Sequence, residues 1–292
     1  CGTSAGMALM GDGSVYSWGA GTGGRLGHGD EFPRSEPSVV SYLSGSSVRQ
    51  IAVSDFASMA VTDKGDLYVW GDISWASDGK RSCGWIPLLM LELSHRVWEA
   101  SLGPHHAAVV TYTGQVFTWG LNFTGQLGLG DTLDRATPTL VTFNGLRGRA
   151  WTISCGTWHT AAVTEYGQVV TWGTGDQGQV GHGDKSTCLN PKAVLGFRRH
   201  QDDVEGEEPV CQIACAQTHS MALTVKGDVF VWGKGEEGQL GLGPSKLSSY
   251  QPACVSGLKD IVGIACAQTH SAAINKFGQL YVWGLGTALG QE

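Results

Sequence analysis

Histidine can ligate a metal or change charge near neutral pH, and His106, His159, His219 and His270 recur at intervals of 53, 60 and 51 residues. Four imidazoles at one repeated position could ring a metal ion. Thiolates could do the same, and Cys1, Cys155, Cys215 and Cys266 also share a repeated position. The string G-x-G-x-x-G, which cradles a pyrophosphate between a strand and a helix, occurs at Gly19-Gly21-Gly24, Gly173-Gly175-Gly178 and Gly233-Gly235-Gly238.

Context argues against each of these chemistries. Ala5 and Ala57 stand where the first two units would carry the histidine, so a ring of ligands is incomplete and a repeated packing or hydrogen-bonding position is the simpler reading. No C-x-x-C pair exists, which disfavours zinc, and the cysteines read as small buried residues in a reducing compartment. No amphipathic helix follows the glycine strings, and they recur with the same period, so they read as connectors that use positive φ. Asp30, Asp131 and Asp184 close connectors, two of which contain His28 and His182, and such aspartates bond their own turn. The Asn122-Phe123-Thr124 glycosylation string is too short to carry weight. There is no nucleophile with a base, no patterned carboxylate pair and no P-loop, so the expectation is no catalytic residue, no metal and no cofactor.

The elements that position these residues are legible in the spacing of Trp-Gly, at Trp18, Trp70, Trp119, Trp172, Trp232 and Trp283. A short alternating run leads into each tryptophan, as in Asp228-Val-Phe-Val-Trp232, and a glycine precedes it, which is a strand entered through a turn. Upstream, Cys155-Gly-Thr-Trp-His-Thr-Ala-Ala-Val163 aligns with Cys215 to Leu223 and Cys266 to Ile274, giving two more strands around a tight turn. Downstream, Thr124-Gly-Gln-Leu-Gly-Leu-Gly-Asp131 and its counterparts lead to a Pro-bearing run such as Thr137-Pro-Thr-Leu-Val141, which supplies a fourth, outermost strand where a missing N–H is tolerated. The fold class is therefore all-β, a β-propeller of four-stranded blades, with six recognisable units at roughly 1–50, 51–101, 102–152, 153–212, 213–263 and 264–292 of a single domain, 1–292. The composition agrees, with 44 glycines and 41% hydrophobic residues.

The strings C-G-x-x-H-T-A-A, V-Y-x-W-G and G-Q-L-G-x-G-D resemble the repeats of the regulator of chromosome condensation family along nearly the whole chain. That resemblance implies a seven-bladed ring, of which six units would be part; a closed six-bladed ring is the alternative. The first unit lacks most of its innermost strand, the last lacks its fourth, and the start at Cys1 reads as a fragment of a longer protein. The resemblance also implies function at the residues between the first two strands of each unit, where the founding member contacts the small GTPase Ran through acidic and histidine side chains. Asp55 matches one such acidic position, whereas His105 and Gln217-Thr218 depart from the pattern.

The candidate partner-binding residues are Asp55, Phe56, His105 and Trp158 on these rim turns, with Trp75 and Trp85 in the irregular connector of unit two, which abandons the G-Q-L-G pattern. Buried plugging between blades is the alternative reading of the connector tryptophans. The insertion from Phe197 to Pro209 reads as a solvated loop or a protruding contact. The expected function is a protein interaction scaffold and not an enzyme; the alternative is a guanine-nucleotide exchange factor for a Ran-like GTPase. The net charge of -7, without a basic run, disfavours direct nucleic-acid binding, and no apolar stretch suits membrane insertion. The expected location is intracellular, with cytoplasm, cytoskeleton and nucleus unresolved.

Overall fold

The alternating runs form strands because one face of each can be buried while glycine turns reverse the chain between them. The computed structural model describes residues 4–72, 84–145, 148–198 and 207–286. Trp75 and the connector segment 73–83, as well as Cys1, Cys83 and the centre of the insertion at 199–206, lie outside the described residues. All sheets are antiparallel, and each takes its strands in chain order from one edge to the other.

Two compact units divide the chain. The first, residues 1–122 with 133–141, holds three sheets. They are β1 (Ala5–Leu9), β2 (Val15–Gly19), β3 (Arg34–Val39); β4 (Val48–Val53), β5 (Ala57–Thr62), β6 (Leu67–Gly71), β7 (Gly84–Leu89); and β8 (Val97–Leu102), β9 (His106–Thr111), β10 (Val116–Gly120), β11 (Arg135–Val141).

The second unit comprises residues 123–132 with 142–292. Its sheets are β12 (Ala150–Cys155), β13 (His159–Thr164), β14 (Val169–Gly173), β15 (Cys188–Ala193); β16 (Val210–Cys215), β17 (His219–Thr224), β18 (Val229–Lys234), β19 (Ser248–Cys254); and β20 (Ile261–Cys266), β21 (His270–Asn275), β22 (Leu280–Gly284).

Alternation vanishes in β5, β9, β13 and β17, where every residue is buried. Both faces of such a strand are covered, which is why Ala, Ser and Thr crowd these runs. In β21 the pattern breaks: Ile274 is 40% exposed and Leu280 on β22 is 66% exposed, while their counterparts Leu223 and Val229 are 2% and 0%. The outermost strands β3, β7, β11, β15 and β19 each carry the proline at one place, Pro37, Pro87, Pro138, Pro191 and Pro252. A proline there cannot donate to a neighbouring strand, which blunts the sheet edge.

Candidate partner-binding site

The repeated tryptophans and histidines form a latch beneath the rim. In the first unit the Arg25 carbonyl accepts from Trp70 Nε1 at 2.9 Å and from Ser58 Oγ at 2.8 Å. In the second unit the Gln126 carbonyl takes Trp172 and Thr160, Gln179 takes Trp232 and Ser220, and Gln239 takes Trp283 and Ser271, all between 2.8 and 2.9 Å. His159 Nε2 lies 2.8 Å from Ser220 Oγ, and His219 Nε2 lies 2.9 Å from Ser271 Oγ. Each of those hydroxyls spends its only proton on a carbonyl, so each histidine must donate from Nε2 and leave Nδ1 as a bare acceptor. Nδ1 of both rings is buried without a hydrogen-bond partner. Burial drives His159 down to about 3 and His219 to about 4, so both rings stay neutral at pH 7.

Trp18 lies against Gly6, and Trp119 is 1% exposed. His106 is fully buried, while His270 is partly exposed. Among the described residues no three His, Cys, Asp or Glu side chains are grouped to hold a metal ion. The G-x-G-x-x-G strings lie in connectors followed by strands. Asp30 accepts from Phe32 N–H at 3.0 Å and Asp184 from Ser186 N–H at 2.8 Å, each closing its own turn. His28 and His182 face the hydroxyls of Ser17 and Thr171 at 3.0 and 3.1 Å. The six cysteines described form no disulfide with one another. No helix among the described residues is long and apolar enough to cross a membrane.

Above the latch, the turn between β4 and β5 presents Asp55 and Phe56. Ser54 ties this turn, its Oγ accepting from Ala57 N–H at 3.2 Å, and the Phe56 carbonyl is held by Asp72 N–H at 2.8 Å. The turn between β8 and β9 presents His105, whose carbonyl is held by Leu121 N–H at 2.9 Å. The rings of Phe56 and His105 meet with centroids 6.0 Å apart. Burial lowers the pKa of His105, and the charge of Asp55 opposes that shift. Three of the rim residues singled out from sequence therefore form one cluster: a carboxylate, a half-exposed phenyl ring and an imidazole on well-anchored turns.

In the second unit Trp158 packs on Phe123, with ring centroids 4.9 Å apart, and Phe123 is 53% exposed. Sequence reading missed Phe123 because it sat inside the glycosylation string, whose Asn122 is fully buried. The signal available was its place as the variable residue just before T-G-Q-L-G. The Trp85 carbonyl accepts from Gly29 N–H at 2.9 Å, while its side chain is left 47% exposed. Trp98, on β8, meets Tyr112 edge to face with ring centroids 5.5 Å apart, and the Arg49 guanidinium lies 5.0 Å from the Trp98 ring.

The family model described as RCC1-like domain matches residues 1–292. The chain is 35% identical to the human E3 ubiquitin-protein ligase HERC2, covering 96% of this chain and 6% of that protein. It is 33% identical to the Ultraviolet-B receptor UVR8 of Arabidopsis thaliana, covering 97% of this chain and 63% of that receptor. The chain thus spans only part of the length of these relatives. Among solved structures, human WBSCR16 superposes with a TM-score of 0.83 at 25% identity, covering 97% of this chain and 75% of that one. Prp20p from Saccharomyces cerevisiae gives 0.83 at 24% identity, covering 100% and 73%. These likenesses establish an all-β propeller architecture with six blades, two of which show three strands among the described residues.

Proposed function

The chain belongs to the family of RCC1-like domains, and from that premise we propose that it is a protein interaction module whose site in the first unit is the Asp55, Phe56 and His105 cluster. The observation that carries this reading is the packing of a 38% exposed phenyl ring against an imidazole beside a carboxylate. An aromatic anchor flanked by polar groups is the composition of binding hot spots. A photo-crosslinking phenylalanine analogue placed at Phe56 should give adducts with a partner that are absent when the probe is placed at Tyr42, and Phe56→Ala with His105→Ala should weaken capture about tenfold or more. Adducts of equal yield at both positions would move the site elsewhere.

A second reading has its own support. Asp55 is an acidic rim residue, and the solved structure of Prp20p is described with binding properties to Gsp1p and histones. On this reading the chain speeds nucleotide release from a small GTPase by binding its nucleotide-free state more tightly than its nucleotide-bound state. Release of fluorescent GDP, measured with and without Asp55→Ala, tests it, and no acceleration with any GTPase removes it.

We further read the chain as one intracellular domain whose blades belong to a seven-bladed ring. The exposed apolar residues Ile274 and Leu280 support this, since the corresponding residues of β17 and β18 are covered.

A further inference from the structure

Three connectors of the second unit carry a glutamine that is held at both ends. The side-chain oxygens of Gln126, Gln179 and Gln239 accept from the backbone N–H of Thr124, Gln177 and Glu237 at 3.0, 2.9 and 2.9 Å. The backbone carbonyls of the same residues are the latch acceptors for Trp172, Trp232 and Trp283. Because each side-chain oxygen faces an N–H, the NH2 group must point the other way; a flipped amide would set two donors against each other.

What that NH2 meets differs between connectors. Gln179 Nε2 donates to Asp176 Oδ1 at 3.0 Å. Asp176 stands three residues ahead of its glutamine, and Glu236 holds the same place ahead of Gln239. Ahead of Gln126 that place belongs to Phe123, whose side chain has no acceptor. Gln126 is fully buried and its Nε2 has no hydrogen-bond partner, so the desolvation of this donor goes uncompensated. Phe123 is instead 53% exposed and packs on Trp158. The aromatic pair and the amide are neighbours, since Thr124 Oγ1 donates to Gln126 Oε1 at 2.7 Å and lies 3.4 Å from the Trp158 carbonyl. A Cβ on Gly173 would fall 2.5 Å from that carbonyl and 3.2 Å from Gln126 Cα.

We propose that Gln126, Phe123 and Trp158 form a docking site for an acidic side chain of a protein partner. The partner's carboxylate accepts from Gln126 Nε2, and an apolar residue beside it packs on the aromatic pair. The chemistry of the occupant is assigned by Asp176, which serves the same amide in the next connector. Nε2 is buried in the free chain, so docking requires the side chains over it to change rotamer, an ordinary event at interfaces. The site lies in the second unit and shares no residue with the Asp55, Phe56 and His105 cluster, so it stands or falls independently of that cluster.

The test pans phage-displayed random linear peptides on the 292-residue chain, with counter-selection on Phe123→Asp. That variant places beside Gln126 the acid the neighbouring connector has, and so fills the site from within. Enriched peptides should carry Asp or Glu next to a bulky apolar residue. A fluorescein-labelled copy should bind below about 1 mM. Its Asp→Asn or Glu→Gln counterpart should bind about tenfold more weakly or worse, and the acidic peptide should lose as much on Phe123→Asp and on Trp158→Ala. In proton–nitrogen NMR the side-chain NH2 signal of Gln126, assigned by its loss in Gln126→Glu, should move on addition of the acidic peptide. Phe56→Ala should bind the peptide as the parent chain does. The proposal is overturned by no enrichment over the counter-selected chain, by equal binding of acidic and amide peptides, by a Gln126 signal that stays in place, or by loss of binding in Phe56→Ala, which would assign the peptide to the first unit's cluster.

Discussion

Lowering the pH from 7.5 to 5 should destabilise the second unit through His159 and His219. Both rings are fully buried, and burial first, with the charge of a neighbouring histidine second, depresses them to about 3 and about 4. An imidazole in the unfolded chain titrates near ~6.5. Because both folded values lie below that, the unfolded state takes up protons first as the pH falls. The stabilisation is complete above about pH 6.5, is lost on the way down towards pH 4, and levels off below the folded values. The slope is roughly 1.4 kcal/mol per pH unit for each ring, so at pH 5 each costs about 2 kcal/mol and the pair about 4. That is a large part of the ~5–15 kcal/mol by which folded domains are usually stable. The carboxyls of Asp12, Asp30 and Asp184 are depressed below their usual range, so their stabilisation is lost only at lower pH and does not mask the effect. The measurement is urea unfolding followed by tryptophan fluorescence at several pH values. His219→Gln keeps a donor towards Ser271 and removes one titration, so its loss should be smaller than that of the parent chain by about 2 kcal/mol, while the depressed His159 and His182 go on losing stability. A stability constant to within about 1 kcal/mol from pH 7.5 to 5 would refute the reasoning.

The latch makes further predictions of the same kind. Trp232→Phe removes the bond to the Gln179 carbonyl, which keeps Ser220 as a donor, so it should cost about 1 kcal/mol in urea unfolding. Trp232→Ala should cost about 3–5 kcal/mol because a fully buried ring is lost. Gly181→Ala and Gly257→Ala both place a Cβ at positive φ, but only at Gly181 does it meet Trp232, 2.9 Å away, so Gly181→Ala should be the worse by about 1–3 kcal/mol. Alkylation followed by mass spectrometry at pH 8.5 should modify exposed Cys211 well before Cys215, whose buried thiol is pushed up to about 12.

Much of the candidate site was legible in the sequence, and the reason is local. The variable turns between the first two strands of each unit stand out once the repeat is aligned, so Asp55, Phe56, His105 and Trp158 could be named from position alone. Their grouping could not. Phe56 meets His105 because consecutive sheets of the first unit place two distant turns side by side, and Phe123 meets Trp158 because the 123–132 segment packs with the second unit.

What the sequence by itself determined is the blade: period-two runs, glycine turns and a proline in each outermost strand act within a few residues of themselves. What only the tertiary structure decided is how those pieces read one another. The protonated nitrogen of His159 follows from Ser220 giving its proton to the Gln179 carbonyl, three groups drawn from separate parts of the second unit. The three connector glycines look alike in sequence, yet in the connectors at Gly24–Gly29, Gly125–Gly130 and Gly178–Gly183 one lies on a tryptophan and two receive a strand. Such roles depend on where whole sheets come to rest against loops, a distance that local periodicity does not carry.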